Sequence, residues 1–219
     1  MVQAIIFDMD GVIVDTEYVD FQFQQEFIKS ISKFPDQLTH EDFSSLVGKS
    51  YRNLTSSIKQ LSQTELSLDQ IASQLQSHAH EALQKVSYAD LFRTDILKII
   101  AYSKKHDIKL AVASSSRKDH ILEVLEDCGI VDQFDHIVSG EDFEESKPHP
   151  AIYQFALERL QVSAGDAIAV EDSYYGIQAA KSAGIPVIAY HEERMLVDQS
   201  HADYKRKNMT EIFELIKSL

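Results

Sequence analysis

Short apolar runs rich in β-branched residues recur along the chain, with stretches of helical periodicity between them. Val2–Phe7 is the first run, followed by Ile108–Ala113, His136–Val138, Ala167–Val170 and Pro186–Tyr190. Most are apolar at consecutive rather than alternate positions, the pattern of strands buried on both faces of a parallel sheet. His120–Asp127 is apolar at Ile121, Val124 and Leu125, and Ala151–Leu160 at Ile152, Phe155, Ala156 and Leu160. Gly176–Ala183 and Thr210–Ser218 read as further helices. Strand and helix in alternation predict an α/β fold with a doubly wound parallel sheet.

About a hundred residues separate the first run from the second, far more than one crossover needs. Residues 17–87 lack a convincing strand and are rich in Gln, Ser, Leu and Glu. Phe21–Ile31, Glu41–Val47, Tyr51–Leu61 and Leu68–Leu83 read as helices, and the polar but periodic stretch 56–77 as a solvated helical hairpin. The expected organisation is a core built from 1–16 and 88–219, with a helical insertion at 17–87. Insertions of that size usually serve function.

Composition narrows the partners. With 35 acidic against 21 basic residues the net charge is −14, a surface that repels nucleic acid and anionic membranes. The single cysteine, Cys128, excludes an internal disulfide. No apolar stretch approaches a membrane span, and Met1-Val2-Gln3 has no basic region of the signal-peptide kind. A cytoplasmic location is the expectation.

The chemistry gathers at the ends of the predicted strands. Asp8-Met9-Asp10-Gly11 places two carboxylates two residues apart, pointing the same way if the chain stays extended. Such acids repel unless a cation lies between them or one takes a proton, which suits an oxygen-ligated metal such as magnesium. The second strand ends in Ser114-Ser115-Ser116, offering hydroxyls and turn amides to an anion. Ser146-Lys147-Pro148 follows the third strand, and Glu171-Asp172-Ser173 ends the fourth. Carboxylates, hydroxyls and one lysine on a single sheet edge read as a metal-plus-phosphate site.

These four clusters, in this order, resemble the motifs of the haloacid dehalogenase superfamily, in particular its β-phosphoglucomutase-like phosphatases and phosphohexomutases. The resemblance covers the core, and residues 17–87 match the family's helical cap in position and length. It implies a Rossmann-like core and an Mg²⁺-dependent enzyme acting on a small phosphorylated metabolite through an aspartyl-phosphate. Asp8 would be the nucleophile and Asp10 the general acid and base. Mg²⁺ would be held by Asp8, the Asp10 carbonyl and Asp172, with Glu171 as a further carboxylate. Ser114, the Ser115 amide and Lys147 would stabilise the transferring phosphoryl group. Lys49 and Arg52, in the insertion, are placed to grip a second anionic group or to be solvated helix charges.

Phosphatase and sugar-phosphate mutase share this mechanism. Relatives that isomerise generally carry a His about five residues beyond the position of Asp15, where this chain has Asp20. Their basic residue late in the cap finds no counterpart around Gln74–Ser77, and their Pro-Gly at the return to the core is replaced by Arg93-Thr94-Asp95. Hydrolysis is therefore the expectation, with a monomer closing its own cap. A phospho-receiver module would use similar residues but is nearer half this length and has no insertion. His78 and His80, two apart and so on different helix faces, read as solvated, His149 as a turn residue, and Cys128 as packing.

Overall fold

The computed structural model describes residues 2–47, 49, 51–83 and 86–219, without the side chains at 51–52 and 80–83. Six parallel strands form the central sheet: β1 (Ala4–Phe7), β2 (Lys109–Ser114), β3 (His136–Ser139), β4 (Ala167–Glu171), β5 (Val187–Tyr190) and β6 (Tyr204–Arg206). Their spatial order is β3-β2-β1-β4-β5-β6. The chain runs outward from β1 to β3, then resumes beside β1 with β4 and runs the other way. That reversal opens a crevice at the carboxyl ends of β1, β2 and β4, where open α/β sheets bind ligands.

The continuous apolar runs are explained by helices on both faces. Ile5 and Phe7 of β1, Leu110 and Val112 of β2, and Ile168 and Val170 of β4 point to one side. There they meet α6 (Ile96–Lys105), α7 (Lys118–Asp127) and α10 (Met209–Ser218) through Ile99, Val124 and Ile212. The intervening residues Ala4, Ile6, Ala111, Ala113, Ala167 and Ala169 face α8 (Ala151–Leu160) and α9 (Tyr174–Ser182). Small side chains on this second face let the two helices sit close to the strands.

Residues 16–83 form α1 (Thr16–Ile31), α2 (His40–Ser44), α3 (Tyr51–Ser62) and α4 (Leu68–Leu83), and α5 (Tyr88–Leu91) leads back to the sheet. The first four share their own hydrophobic cluster, built on Phe21, Phe27, Ile28, Phe43, Leu54, Ile58, Ile71 and Leu75. The α3–α4 hairpin is thus solvated on one face only. Met195, from the segment after β5, completes this cluster and is 2 % exposed. Ser44 accepts a hydrogen bond from the Leu196 amide at 3.1 Å, fixing that segment further.

The two connections between sheet and inserted helices run side by side. Val14 bridges antiparallel to Phe92, and the Asp15 and Arg93 amides donate across to Leu91 and Ile13 at 2.9 and 3.0 Å. The Asp15 carboxylate accepts from Arg93 Nη2 at 2.7 Å and from both Arg194 terminal nitrogens at 2.7 and 2.8 Å. Arg93 lies 4.0 Å over the Tyr190 ring and Arg194 4.1 Å over Tyr18 of α1. Arg93-Thr94-Asp95 therefore re-enters the core through an arginine cluster.

Several elements differ from the sequence reading, α5 among them, which it does not assign. α1 begins at Thr16, five residues earlier than its periodicity suggests, because the first turn is polar. β6 was not expected: Tyr204-Lys205-Arg206 has no apolar run, as suits an exposed edge strand. α6 carries apolar residues at Ile96, Ile99 and Ile100, but it lies in the stretch between insertion and second strand where no helix was assigned. No helix among the described residues is long and apolar enough to cross a membrane.

Candidate active site

β1 ends at Phe7, and the Asp8 amide is held by the Val170 carbonyl of β4 at 2.9 Å. The chain then turns instead of staying extended: the Ile13 amide donates to Met9 at 2.8 Å and the Gly11 amide to Val14 at 2.8 Å. Gly11 has φ +77°, and a Cβ there would lie 2.0 Å from Asp172 Oδ2. Glycine thus provides both the turn and the room for that carboxylate. Gly176, in the helix after β4, leaves room for Glu171, whose carboxylate lies where a Cβ would project.

A cavity of about 520 Å³ opens above these strand ends. Asp8, Asp10, Ser114, Ser115, Lys147, Asp172 and Lys49, all singled out in the sequence, line it. The Arg52 side chain lies outside the described residues, as does that of His80. Glu171 is fully buried beneath the cavity floor.

Lys147 is the hub. Its Nζ donates to Asp8 Oδ1 at 2.6 Å, to Glu171 Oε1 at 2.6 Å and to the Ala113 carbonyl at 3.0 Å. Tyr153 of α8 donates to the same Glu171 oxygen at 2.5 Å, and Ser173 to the other at 3.3 Å. Glu171 therefore anchors Lys147 as well as adding negative charge. The Asp10 carboxylate is oriented by two hydroxyls, Thr16 at 2.7 Å and Ser116 at 2.9 Å. Ser114 Oγ accepts the Ser116 amide at 3.1 Å, ordering the turn after β2.

Burial pushes the Asp8 carboxyl up to about 8; Lys147 opposes the rise, and Glu171 and Asp10 add to it. Asp172 is likewise raised by burial, then by Glu17, Asp8 and Glu171. Burial alone would lower Lys147, but Asp8 and Glu171 outweigh it and hold the ammonium above its ordinary value. Oxygens of Asp8, Glu171 and Asp172 lie within 4.8 Å of one another. Three buried carboxylates against one lysine leave an excess of negative charge that a hard divalent cation with oxygen ligands fits.

Several residues of the cavity had not been singled out for it. Glu17, Asp20 and Gln24, spaced three and four apart on α1, share one helix face and all line the cavity. Thr16, at the end of the first motif, holds Asp10, and Tyr153, from outside the motifs, holds Glu171. His78, read as solvated, instead packs near Phe23 and Phe27, with its Nε2 buried and without a hydrogen bond from any described residue. His149 is the turn residue expected, accepting the Ala151 amide at 3.3 Å and meeting Glu145 at 3.0 Å.

Residues 5–190 match the family model of the haloacid dehalogenase-like hydrolases. A phosphorylated carbohydrates phosphatase of Thermotoga maritima is 31 % identical over 185 residues, covering 84 % of this chain and 82 % of that protein. A beta-phosphoglucomutase of Bacillus subtilis is also 31 % identical, over 187 residues, covering 84 % of this chain and 80 % of that protein. Among solved structures, beta-phosphoglucomutase from Clostridium difficile shares the fold with a TM-score of 0.77 at 24 % identity, over 100 % of this chain and 96 % of that one.

Proposed function

The chain belongs to the haloacid dehalogenase-like hydrolases, enzymes that act on phosphate esters, and from that membership we propose that it is an Mg²⁺-dependent phosphatase of a small phosphorylated metabolite such as a sugar phosphate. The observation that carries the reading is Asp8 and Asp10 in one cavity with Lys147, over a buried acidic cluster. Residues 1–16 and 88–219 form the catalytic core in this reading, and 17–87 the cap that encloses the substrate.

Asp8 Oδ1 is engaged by Lys147, while Oδ2 accepts no hydrogen bond from a described residue. Oδ2 attacks phosphorus, and the bond to the leaving oxygen breaks as Asp10 gives that oxygen its proton. Thr16 and Ser116 hold the Asp10 carboxyl in place for this transfer. Water then attacks the phosphorus of the aspartyl-phosphate as Asp10 takes its proton and the bond to Asp8 Oδ2 breaks, so that ester and water become alcohol and phosphate and the Asp8 carboxylate is regenerated. Lys147, Ser114 and the Ser115 amide neutralise charge on the phosphoryl oxygens. Asp8, Asp172 and the Asp10 carbonyl would hold Mg²⁺, with Glu171 beside them. When bound, Mg²⁺ supplies positive charge to the phosphoryl oxygens.

Asp10→Asn should retain metal binding and lower turnover by about two to four decades, the usual loss of a general acid–base group. Unchanged turnover would assign the proton transfer to another residue. The mutase is the alternative, and one experiment separates the two. With β-glucose 1-phosphate and its bisphosphate activator, free phosphate should form faster than glucose 6-phosphate. Isomerisation many times faster than phosphate release would overturn the phosphatase reading.

A further inference from the structure

Past the phosphoryl-binding floor, the cavity is walled by the first turns of α1. Glu17, Asp20 and Gln24 present one polar face into it. Neither carboxylate makes a hydrogen bond or ion pair with another described residue. By contrast, Asp15 is paired with Arg93 and Arg194, and Glu192 with Arg194.

The cations lining the cavity, among the described residues, are few. Lys147 is held by Asp8 and Glu171. Lys49 donates to Ser57 Oγ at 2.9 Å. His120 lies 3.6 Å from Glu123 and edge-on to Tyr88. Among the described residues no arginine lines the cavity; the Arg52 side chain lies outside them.

The two acids divide the cavity. Glu17 stands with the catalytic acids: after burial it is the largest influence raising Asp172. Asp20 lies one turn further along α1. It also borders a second, mainly apolar cavity of about 370 Å³, together with Gln24, Leu54, Leu75 and His78. Burial, then Asp10, raises the Asp20 carboxyl to about 6, and His120 opposes the rise. Asp20, unlike Glu17, stands where the two cavities meet, away from the phosphoryl-binding floor.

We propose that Asp20 sets substrate choice by selecting phosphomonoesters whose leaving group carries hydroxyl or ammonium donors and by rejecting those with a second phosphate. The inference rests on the phosphatase reading for its hydrolytic consequence, but the recognition itself is a binding property. A donor near Asp20 gains a charge-assisted hydrogen bond, and a second phosphate meets like charge in a partly dehydrated space.

The test compares glucose 6-phosphate, glucosamine 6-phosphate and fructose 1,6-bisphosphate in the full chain with Mg²⁺. Phosphate release and calorimetric binding are both measured, with p-nitrophenyl phosphate as a hydrolysis standard. The wild type should prefer both monophosphates over the bisphosphate by about tenfold or more in kcat/KM and in Kd. A higher affinity for glucosamine 6-phosphate than for glucose 6-phosphate would assign the donor to an ammonium, and the reverse order to hydroxyls. In Asp20→Asn, and in Asp20→Ser should the first fold poorly, the bisphosphate-to-monophosphate ratio should rise about tenfold. Equal binding of monophosphate and bisphosphate by the wild type, or an unchanged ratio in a folded variant, would overturn the proposal. Failure to hydrolyse any ester while the binding preference persists would instead overturn the phosphatase reading alone.

Discussion

Asp8→Asn should leave the protein folded and lower phosphate release by about four decades or more, the scale on which loss of a covalent nucleophile acts. The amide oxygen can still accept from Lys147, so the contact that holds residue 8 in place survives. The amide cannot attack phosphorus, and it removes one of the charges that would attract a metal. Acid quenching during turnover should trap a phosphorylated protein in the wild type and none in the variant. Circular dichroism verifies the fold. Near-normal release by a well-folded Asp8→Asn protein would remove Asp8 from the role of nucleophile.

Removing divalent metal should abolish turnover, and the same experiment has a second readout in stability. Asp8 has its carboxyl raised from 3.8 to about 8 in the metal-free fold, chiefly by burial. The folded form therefore keeps a proton that the unfolded chain gives up above about pH 4. In chelator, this group makes stability fall as pH rises from there towards about 8. Bound Mg²⁺ requires the ionised carboxylate, so its affinity should increase over that range. At about 100 times Kd the cation contributes about 2.7 kcal/mol. For a chain of this size that is a rise in Tm of about 5–10 °C. The Mg²⁺-minus-chelator difference in Tm should be larger at pH 8 than at pH 6. Full activity in excess chelator with metal content verified, or a Tm indifferent to Mg²⁺ at pH 8, would count against the metal site.

Much of the core could be read from the chain because its signals are local. Each of the four polar clusters sits where an apolar run stops, so one-dimensional pattern and three-dimensional edge coincide. Asp8, Ser114, Lys147 and Asp172 come together once the strands are ordered around β1. The features that escaped are those created by packing between distant segments. Tyr153 looks like any aromatic on an amphipathic helix until α8 docks and its hydroxyl reaches Glu171. Thr16 and Glu17 open α1 ahead of its apolar stripe and Asp20 follows one turn on, so the start of α1, and with it the shared face of 17, 20 and 24, is hidden in the sequence. His78 reads as a surface residue because the aromatic rings around it come from α1, some fifty residues earlier. β6 has no apolar run because it lies at the sheet's edge.

Met195 closes the hydrophobic cluster of the inserted helices from the far end of the sequence. During synthesis, α4 ends at Leu83, and Met195 follows more than a hundred residues later. At about 5–20 residues per second this interval lasts roughly 6–20 s. Throughout it, apolar side chains such as Phe43 and Ile71 belong to a nascent chain that does not yet contain the residue that covers them. The helical unit is therefore among the first parts of the protein to emerge from the ribosome and among the last to be finished, and that interval is when chaperone engagement or aggregation of unfinished chains should concentrate.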